Sequence, residues 1–228
     1  MTPRLSTPKA ILFDFDGTLA DTAPDMAFAA NILRKAHGLD SLPISDYRPY
    51  VSSGGRGMVK VAFGKTPEDA EFAELRDTFL DLYAANLCLH TTLFDGINNT
   101  IAALECRDIA WGIVTNKAMR FTDPIVRQLG LDQRTKCIVS GDTTPHLKPH
   151  PASLLHAAAL LGIHPADCWY VGDDERDIAA ARAANMTGII ARYGYLGGSA
   201  PSTWNAHASI DTPLALLELF APTPISMA

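Results

Sequence analysis

The sequence predicts an α/β fold, a doubly wound parallel sheet interrupted after its first strand by an all-helical insertion. Three observations carry this reading. Short apolar, β-favouring runs at 9–13, 109–115, 137–140, 168–172 and 186–191 alternate with periodic segments of helical length. The block from Pro24 to Leu89 contains helical patterns and no convincing strand. Polar side chains gather where the strands end, the place where open α/β sheets build their sites. Residues 1–20 and 95–228 then form the sheet domain, and residues 21–94 the helical one.

The opening run, Lys9 to Phe13, reads as a buried strand. Asp14, Asp16 and Gly17 break it. Side chains two apart in a strand share a face, so Asp14 and Asp16 leave its end on the same side. Two close carboxylates repel each other and lose hydration, and a divalent cation is the usual offset. Pro24 suits a helix first turn, with Thr22 or Ala23 near the cap, and Asp25 to His37 reads as an amphipathic helix closed by Gly38. Leu39 to Tyr50 is broken by Pro43 and Pro49. Ser52 to Gly57 reads as a glycine-rich turn leading into Met58–Phe63. Pro67 to Leu89 is a long helical pattern, with Phe72, Leu75, Phe79, Leu82 and Tyr83 at helical spacing.

Alternation then resumes. Helices are expected at Gly96–Cys106, at Ala118–Leu129 (closed by Gly130), at Pro151–Leu161 (closed by Gly162) and at Asp174–Ala184, between the four later strands. A last short strand at Ala208–Ile210 precedes a helix at Pro213–Leu219, and the tail from Ala221 reads as loose.

A chain of 228 residues suits one core domain carrying an insertion. With 47% hydrophobic and 19% charged residues it has the composition of a soluble globular protein. No apolar run spans a bilayer, and Met1 to Ser6 holds no signal-peptide apolar region, so a cytoplasmic protein is expected. The net charge of −6, with no Lys/Arg run, argues against nucleic acid or an anionic membrane as partner. A monomer or homodimer acting on a small molecule is expected. Cys88, Cys106, Cys137 and Cys168 form no C-x-x-C pair, which argues against a disulfide framework or zinc site, and all four are expected to be small core residues.

Four strand ends carry the chemistry. The first offers Asp14 and Asp16, and the second Thr115 and Asn116. Lys148 lies in the loop His146–His150, before the Pro151 helix. The strand ending at Gly172 runs into Asp173, Asp174, Glu175, Arg176 and Asp177. An acid pair, a hydroxyl, an ammonium and an acid cluster around one crevice fit phosphoryl transfer. One carboxylate attacks phosphorus, and another protonates the leaving oxygen and then deprotonates water. The lysine and hydroxyl bind phosphoryl oxygens. Mg²⁺ typically takes one or two carboxylates and keeps several waters. Gly54, Gly55 and Arg56 either line a substrate cavity, with Arg56 facing an anion, or form a plain turn. They are no Walker loop, because no Gly-Lys-Ser/Thr follows.

The motifs D-F-D-G-T-L-A-D-T at Asp14–Thr22, V-T-N at Val114–Asn116, L-K-P-H-P at Leu147–Pro151 and V-G-D-D-E-R-D-I at Val171–Ile178 resemble, in order and combination, the haloacid dehalogenase superfamily of aspartate-nucleophile phosphatases. The resemblance implies a Rossmann-like core with Asp14 as nucleophile and Asp16 as general acid and base. Mg²⁺ would be held by the Asp14 side chain, the Asp16 carbonyl oxygen and Asp173, with Asp177 or in part Asp174 as a supporting carboxylate. Thr115, Asn116 and Lys148 would bind the phosphoryl group. An insertion directly after the first motif is similar to the helical cap of the phosphoglycolate phosphatase-like branch, with Ala20–Thr22 and Leu93–Gly96 as linkers.

Ser53–Met58, Trp111–Phe121 and Arg192–Tyr195 resemble a narrower group, the N-acetylmuramic acid 6-phosphate phosphatases. The implied substrate is a small phosphorylated metabolite, with N-acetylmuramate 6-phosphate or 2-phosphoglycolate leading. Tyr47, Tyr50 and Met58 beside Arg48, Arg56 and Lys60 suit the bulkier sugar acid. A phosphomutase uses the same core and a similar cap and is the nearest alternative. A phospho-acceptor signalling domain shares the sheet and acid cluster, but it does not need the insertion, and its acid pair is typically adjacent.

Overall fold

The computed structural model describes residues 4–135 and 137–220, so the expected loose tail from Ala221 lies outside the described residues. In chain order the elements are β1 (Ala10–Phe13), β2 (Ala20–Asp21), α1 (Ala23–Ala36), α2 (Ile44–Tyr47), α3 (Gly54–Phe63), α4 (Phe72–Ala85), β3 (Thr92–Leu93) and α5 (Ile97–Glu105). There follow β4 (Ala110–Val114), α6 (Met119–Gln128), β5 (Ile138–Val139), α7 (Ala152–Leu161), β6 (Cys168–Gly172), α8 (Glu175–Ala183), β7 (Thr187–Ala191) and β8 (Ala208–Ile210).

Burial on both faces decides the place of β1. Ile11 and Phe13 enter one hydrophobic core with Ile101, Ile113, Ile125 and Trp169, while Ala10 and Leu12 enter another with Leu154, Ala157, Tyr170 and Ala180. A strand apolar on both sides needs a helix layer on each, and burying each Ile or Leu contributes roughly 1.5–3 kcal/mol. The six-stranded sheet runs β5-β4-β1-β6-β7-β8 with every pairing parallel. β1 therefore stands where the strand order reverses, with β4 on one side and β6 on the other. That is where a crevice opens at the carboxyl ends.

The helices α1, α3 and α4 pack on one another between β2 and β3, which pair antiparallel through Ala20–Leu93 and Asp21–Thr92. These two-residue strands were not anticipated, being too short to carry a pattern. Asp25, buried in the first turn of α1, accepts N–H bonds from His90 (2.7 Å) and Thr91 (3.1 Å) and clasps the two crossings together.

Four expectations change. The glycine-rich stretch is not a turn throughout. A 3-10 turn covers Arg48–Ser53 and α3 begins at Gly54. Gly57 is a glycine because a side chain there would overlap the Tyr50 carbonyl. The long pattern from Pro67 yields a helix only from Phe72 to Ala85, and Pro213–Leu219 is 3-10 rather than α. Cys106 is exposed, whereas Cys88, Cys137 and Cys168 are buried. No helix among the described residues is long and apolar enough to cross a membrane.

Candidate active site

The carboxyl ends of β1, β4 and β6 bring the motif residues together. The Asp14 N–H donates to the Val171 carbonyl at 2.8 Å and prolongs the β1–β6 ladder. Gly17, at φ +84°, then passes so close to the Asp173 carboxylate that a side chain would overlap it. The approach lets the Thr18 hydroxyl donate to Asp173 Oδ1 (2.8 Å), while the Tyr195 N–H donates to Oδ2 (2.8 Å).

Lys148 is buried at the centre. Its ammonium lies 2.9 Å from Asp14 Oδ1 and donates to Asp177 Oδ1 (2.7 Å), the Tyr170 hydroxyl (2.7 Å) and the Val114 carbonyl (3.2 Å). Asn116 fixes this loop. Its carboxamide accepts the Lys148 N–H at 2.9 Å and donates to the Lys148 carbonyl at 3.0 Å. Asp177 Oδ2 accepts the Asp174 N–H at 3.0 Å, completing a capping box on α8. Both Asp177 oxygens thus already serve the lysine and the helix.

The oxygens of Asp14, Asp173 and Asp177 lie within 4.8 Å of one another, all three residues being buried. Three carboxylates face one ammonium. Burial first, and then the charge of Asp177, pushes Asp14 up to about 7 against the opposing pull of Lys148. Burial and the charges of Asp14 and Asp177 hold Asp173 well above the usual carboxylate range, although Thr18 and the Tyr195 N–H oppose the shift. Burial alone would lower Lys148, but Asp14 and Asp177 outweigh it and keep it cationic. A buried set of hard oxygen donors with surplus negative charge fits a divalent cation of the Mg²⁺ type.

Carboxylates whose folded pKa is raised keep protons that the unfolded chain releases, so metal-free protein loses stability as pH climbs from about 4 through about 7. Thermal unfolding in chelator should show a falling Tm between about pH 5 and pH 8. Mg²⁺ should raise Tm most at the alkaline end. A Tm insensitive to Mg²⁺ at pH 8 would deny the cluster a metal.

Asp16 stands apart from this cluster. Its Oδ1 accepts from the Thr22 hydroxyl at 2.5 Å, and its two oxygens accept from the Lys117 ammonium at 3.0 and 3.2 Å. Lys117, not a shared cation, therefore balances the second carboxylate of the D-x-D pair. Burial would lower the Lys117 pKa, but Asp16 and the nearby Tyr83 hydroxyl hold it above its ordinary range.

A cavity of about 360 Å³ opens onto Asp14, Asp16, Thr115, Asn116 and Lys148. Val51, Phe79, Leu80 and Tyr83 from the helical insert and Phe121 from α6 supply its apolar wall, and Gly54 and Gly55 line it as well. Arg56 does not. Because α3 already starts at Gly54, Arg56 lies on the helix's exposed side, in a second cavity of about 650 Å³ with Tyr50 and Lys60. Arg176 lines both cavities. Its guanidinium clasps Asp174 (2.8 and 2.9 Å) and donates to the Ser52 carbonyl of the insert at 2.7 Å.

Local sequence assigns no role to Lys117, Tyr170 or Arg176, and it offers Tyr195, within Arg192–Tyr195, only as a rim for a larger substrate, whereas the side chain is buried and does not line the cavity. Lys117 had one available signal, its place directly after Thr115-Asn116. Tyr195 had only its place in the Arg192–Tyr195 stretch, which does not reveal that its hydroxyl accepts the N–H groups of Thr22 (2.9 Å) and Ala23 (3.0 Å), far away in the chain.

Residues 11–191 match the family model of the haloacid dehalogenase-like hydrolases. The chain is 44% identical over 212 residues to a phosphoglycolate phosphatase of Xanthomonas campestris, covering 92% of this chain and 96% of that one. It is 40% identical over 212 residues to an N-acetylmuramic acid 6-phosphate phosphatase of Pseudomonas aeruginosa, covering 92% and 94%. Among solved structures, a phosphoglycolate phosphatase assigned by prediction, from Haemophilus somnus, superposes with a TM-score of 0.82 at 26% identity over 94% of this chain and 99% of its own.

Proposed function

The chain belongs to the haloacid dehalogenase-like hydrolase family and is a phosphoric monoester hydrolase, and from that premise we propose a Mg²⁺-dependent route through an aspartyl-phosphate on Asp14. Asp14 and Asp173 would hold the ion with the Asp16 carbonyl, and Asp177 supports the cluster by holding Lys148. When bound, the ion neutralises the carboxylates and the phosphoryl oxygens.

The chain's own groups do the rest. The Asp14 carboxylate attacks phosphorus and the bond to the substrate oxygen breaks. Asp16 gives that oxygen its proton. Asp16 then takes a proton from water, which attacks phosphorus and frees Asp14 and inorganic phosphate. Lys148 and the Thr115 hydroxyl bind phosphoryl oxygens as charge develops on them. The helical insert acts as a cap, excluding bulk water when closed. We place the enzyme in the cytoplasm, a reading supported by its four free cysteines.

The observation that carries the substrate reading is the wall opposite the carboxylates. A cavity of about 360 Å³ lined by Phe79, Leu80, Tyr83 and Phe121 gives an amphipathic sugar acid room and apolar surface, neither of which a two-carbon acid uses. Of the two substrates in the relatives' names, N-acetylmuramate 6-phosphate is therefore preferred over 2-phosphoglycolate. The test is kcat/KM for both compounds under identical Mg²⁺, with the sugar acid expected to lead. A preference for phosphoglycolate of more than about tenfold, about 1.4 kcal/mol of transition-state discrimination, overturns the substrate reading.

A further inference from the structure

Asp16 can serve as acid and base only if its carboxyl is aimed at the oxygen that leaves phosphorus, and among the described residues two groups hold it. One is the Thr22 hydroxyl, on the linker into α1. The other is Lys117, whose side chain is 6% exposed. The root of Lys117 is anchored in the sheet domain, its N–H donating to Thr115 Oγ1 (3.1 Å) and its carbonyl accepting from the Gly141 N–H (2.8 Å). Its ammonium touches both Asp16 oxygens and lies 4.7 Å from the centre of the Tyr83 ring, which the helical insert supplies.

A buried ion pair is a weak device for stability, because desolvation opposes the attraction, so stability alone gives little reason to keep this one. Its place does, since Asp16, Lys117 and Tyr83 all line the substrate cavity. The aromatic face is attractive to an ammonium when water is excluded. Tyr83 can cover Lys117 only while the insert lies against the sheet domain, where its ring also meets Phe121 at 5.4 Å between centroids.

We propose that Lys117 is the positioning residue for Asp16, and that Tyr83, brought over it by the insert, confines the ammonium so that Asp16 is aimed only when the cavity is closed. This rests on the acid–base reading of Asp16 given above. Proton delivery matters most when the leaving oxygen is basic. Loss of Lys117 therefore acts selectively on alkyl phosphates.

The experiment compares Asp16→Asn, Lys117→Met and their double variant on glycerol 2-phosphate and on p-nitrophenyl phosphate. General acid–base help is typically worth about a hundredfold or more, and misaiming it forfeits part. Hydrolysis of the aspartyl-phosphate is common to both esters, so the readout is kcat/KM, which reports the step that expels the leaving oxygen: Lys117→Met is expected to lower it about 30-fold on the alkyl ester and less than about threefold on the aryl ester. The double variant is expected to be no slower than Asp16→Asn alone, because Lys117 acts through Asp16. Lys117→Arg, which returns a cation to Asp16, should recover part of the loss, and it replaces Lys117→Met in the cycle if that protein does not fold.

Equal losses of kcat/KM on both esters, or additive losses in the double variant, would overturn the assignment. If Asp16→Asn itself lowers kcat/KM equally on both esters, the acid–base reading fails and the proposal falls with it. If Asp16→Asn discriminates and the Lys117 variants do not, only the proposal falls.

Discussion

Asp14→Asn is expected to abolish turnover, by about three decades or more, and at the same time to raise the melting temperature of metal-free protein at pH 8. The first effect follows because the amide is a poor nucleophile and the proposed covalent route rests on this carboxylate. The second follows from the site's electrostatics. Asp14 is pushed up to about 7 by burial and by Asp177, so at pH 8 it is ionised at a cost to the folded state that the unfolded chain does not bear. A neutral isostere removes the repulsion. Activity and thermal unfolding, measured on one preparation, check both. Retention of more than about a tenth of wild-type turnover would remove Asp14 from the chemistry. A lower Tm would show that its attraction to Lys148 outweighs the repulsion.

Lys148→Ala has the second largest expected effect. Among the described residues the lysine is the single cation touching Asp14 and Asp177, and it also donates to Tyr170 and Val114. Its removal leaves buried carboxylates unpaired, a change that destabilises by roughly 3–5 kcal/mol when one partner of a buried pair is lost. It also removes the donor that the proposed route aims at the phosphoryl oxygens, worth about 10²–10³ in kcat. Urea unfolding and steady-state kinetics measure the two losses, and Mg²⁺ should restore part of the stability and little of the rate. A variant as stable as wild type in chelator would contradict the surplus of negative charge on which the metal reading depends.

These effects lie in parts of the molecule that local sequence makes legible. Strands buried on both faces, such as Ala10–Phe13 and Cys168–Gly172, announce themselves by apolar runs, and the D-x-D-G, Thr115-Asn116 and Gly172-Asp173 breaks mark their ends. The crevice follows from those ends once the strands are parallel. What stayed hidden depends on partners distant in the chain. Lys117 meets Asp16 across 101 positions, and a lone lysine after a strand otherwise reads as solvated. Tyr195 reaches Thr22 across 173 positions. Arg56 illustrates the converse. Its cationic side chain in a glycine-rich stretch suggested a substrate contact, but the start of α3 at Gly54 fixes a helical phase that sends it to the neighbouring cavity. The two-residue β2–β3 pair could be seen only once the helices between them had folded back.

The central claim, a covalent phosphoryl group on Asp14, is tested most directly by trapping it. The enzyme is mixed with Mg²⁺ and a phosphomonoester it turns over, quenched in acid, treated with borohydride and digested. Borohydride reduces an acyl phosphate to the alcohol, which mass spectrometry reads at single-residue resolution. The account predicts reduction of the side chain at Asp14, dependent on substrate and absent from Asp16 and Asp173. Continuing turnover with Asp14 unmodified, or reduction at another aspartate, would contradict it.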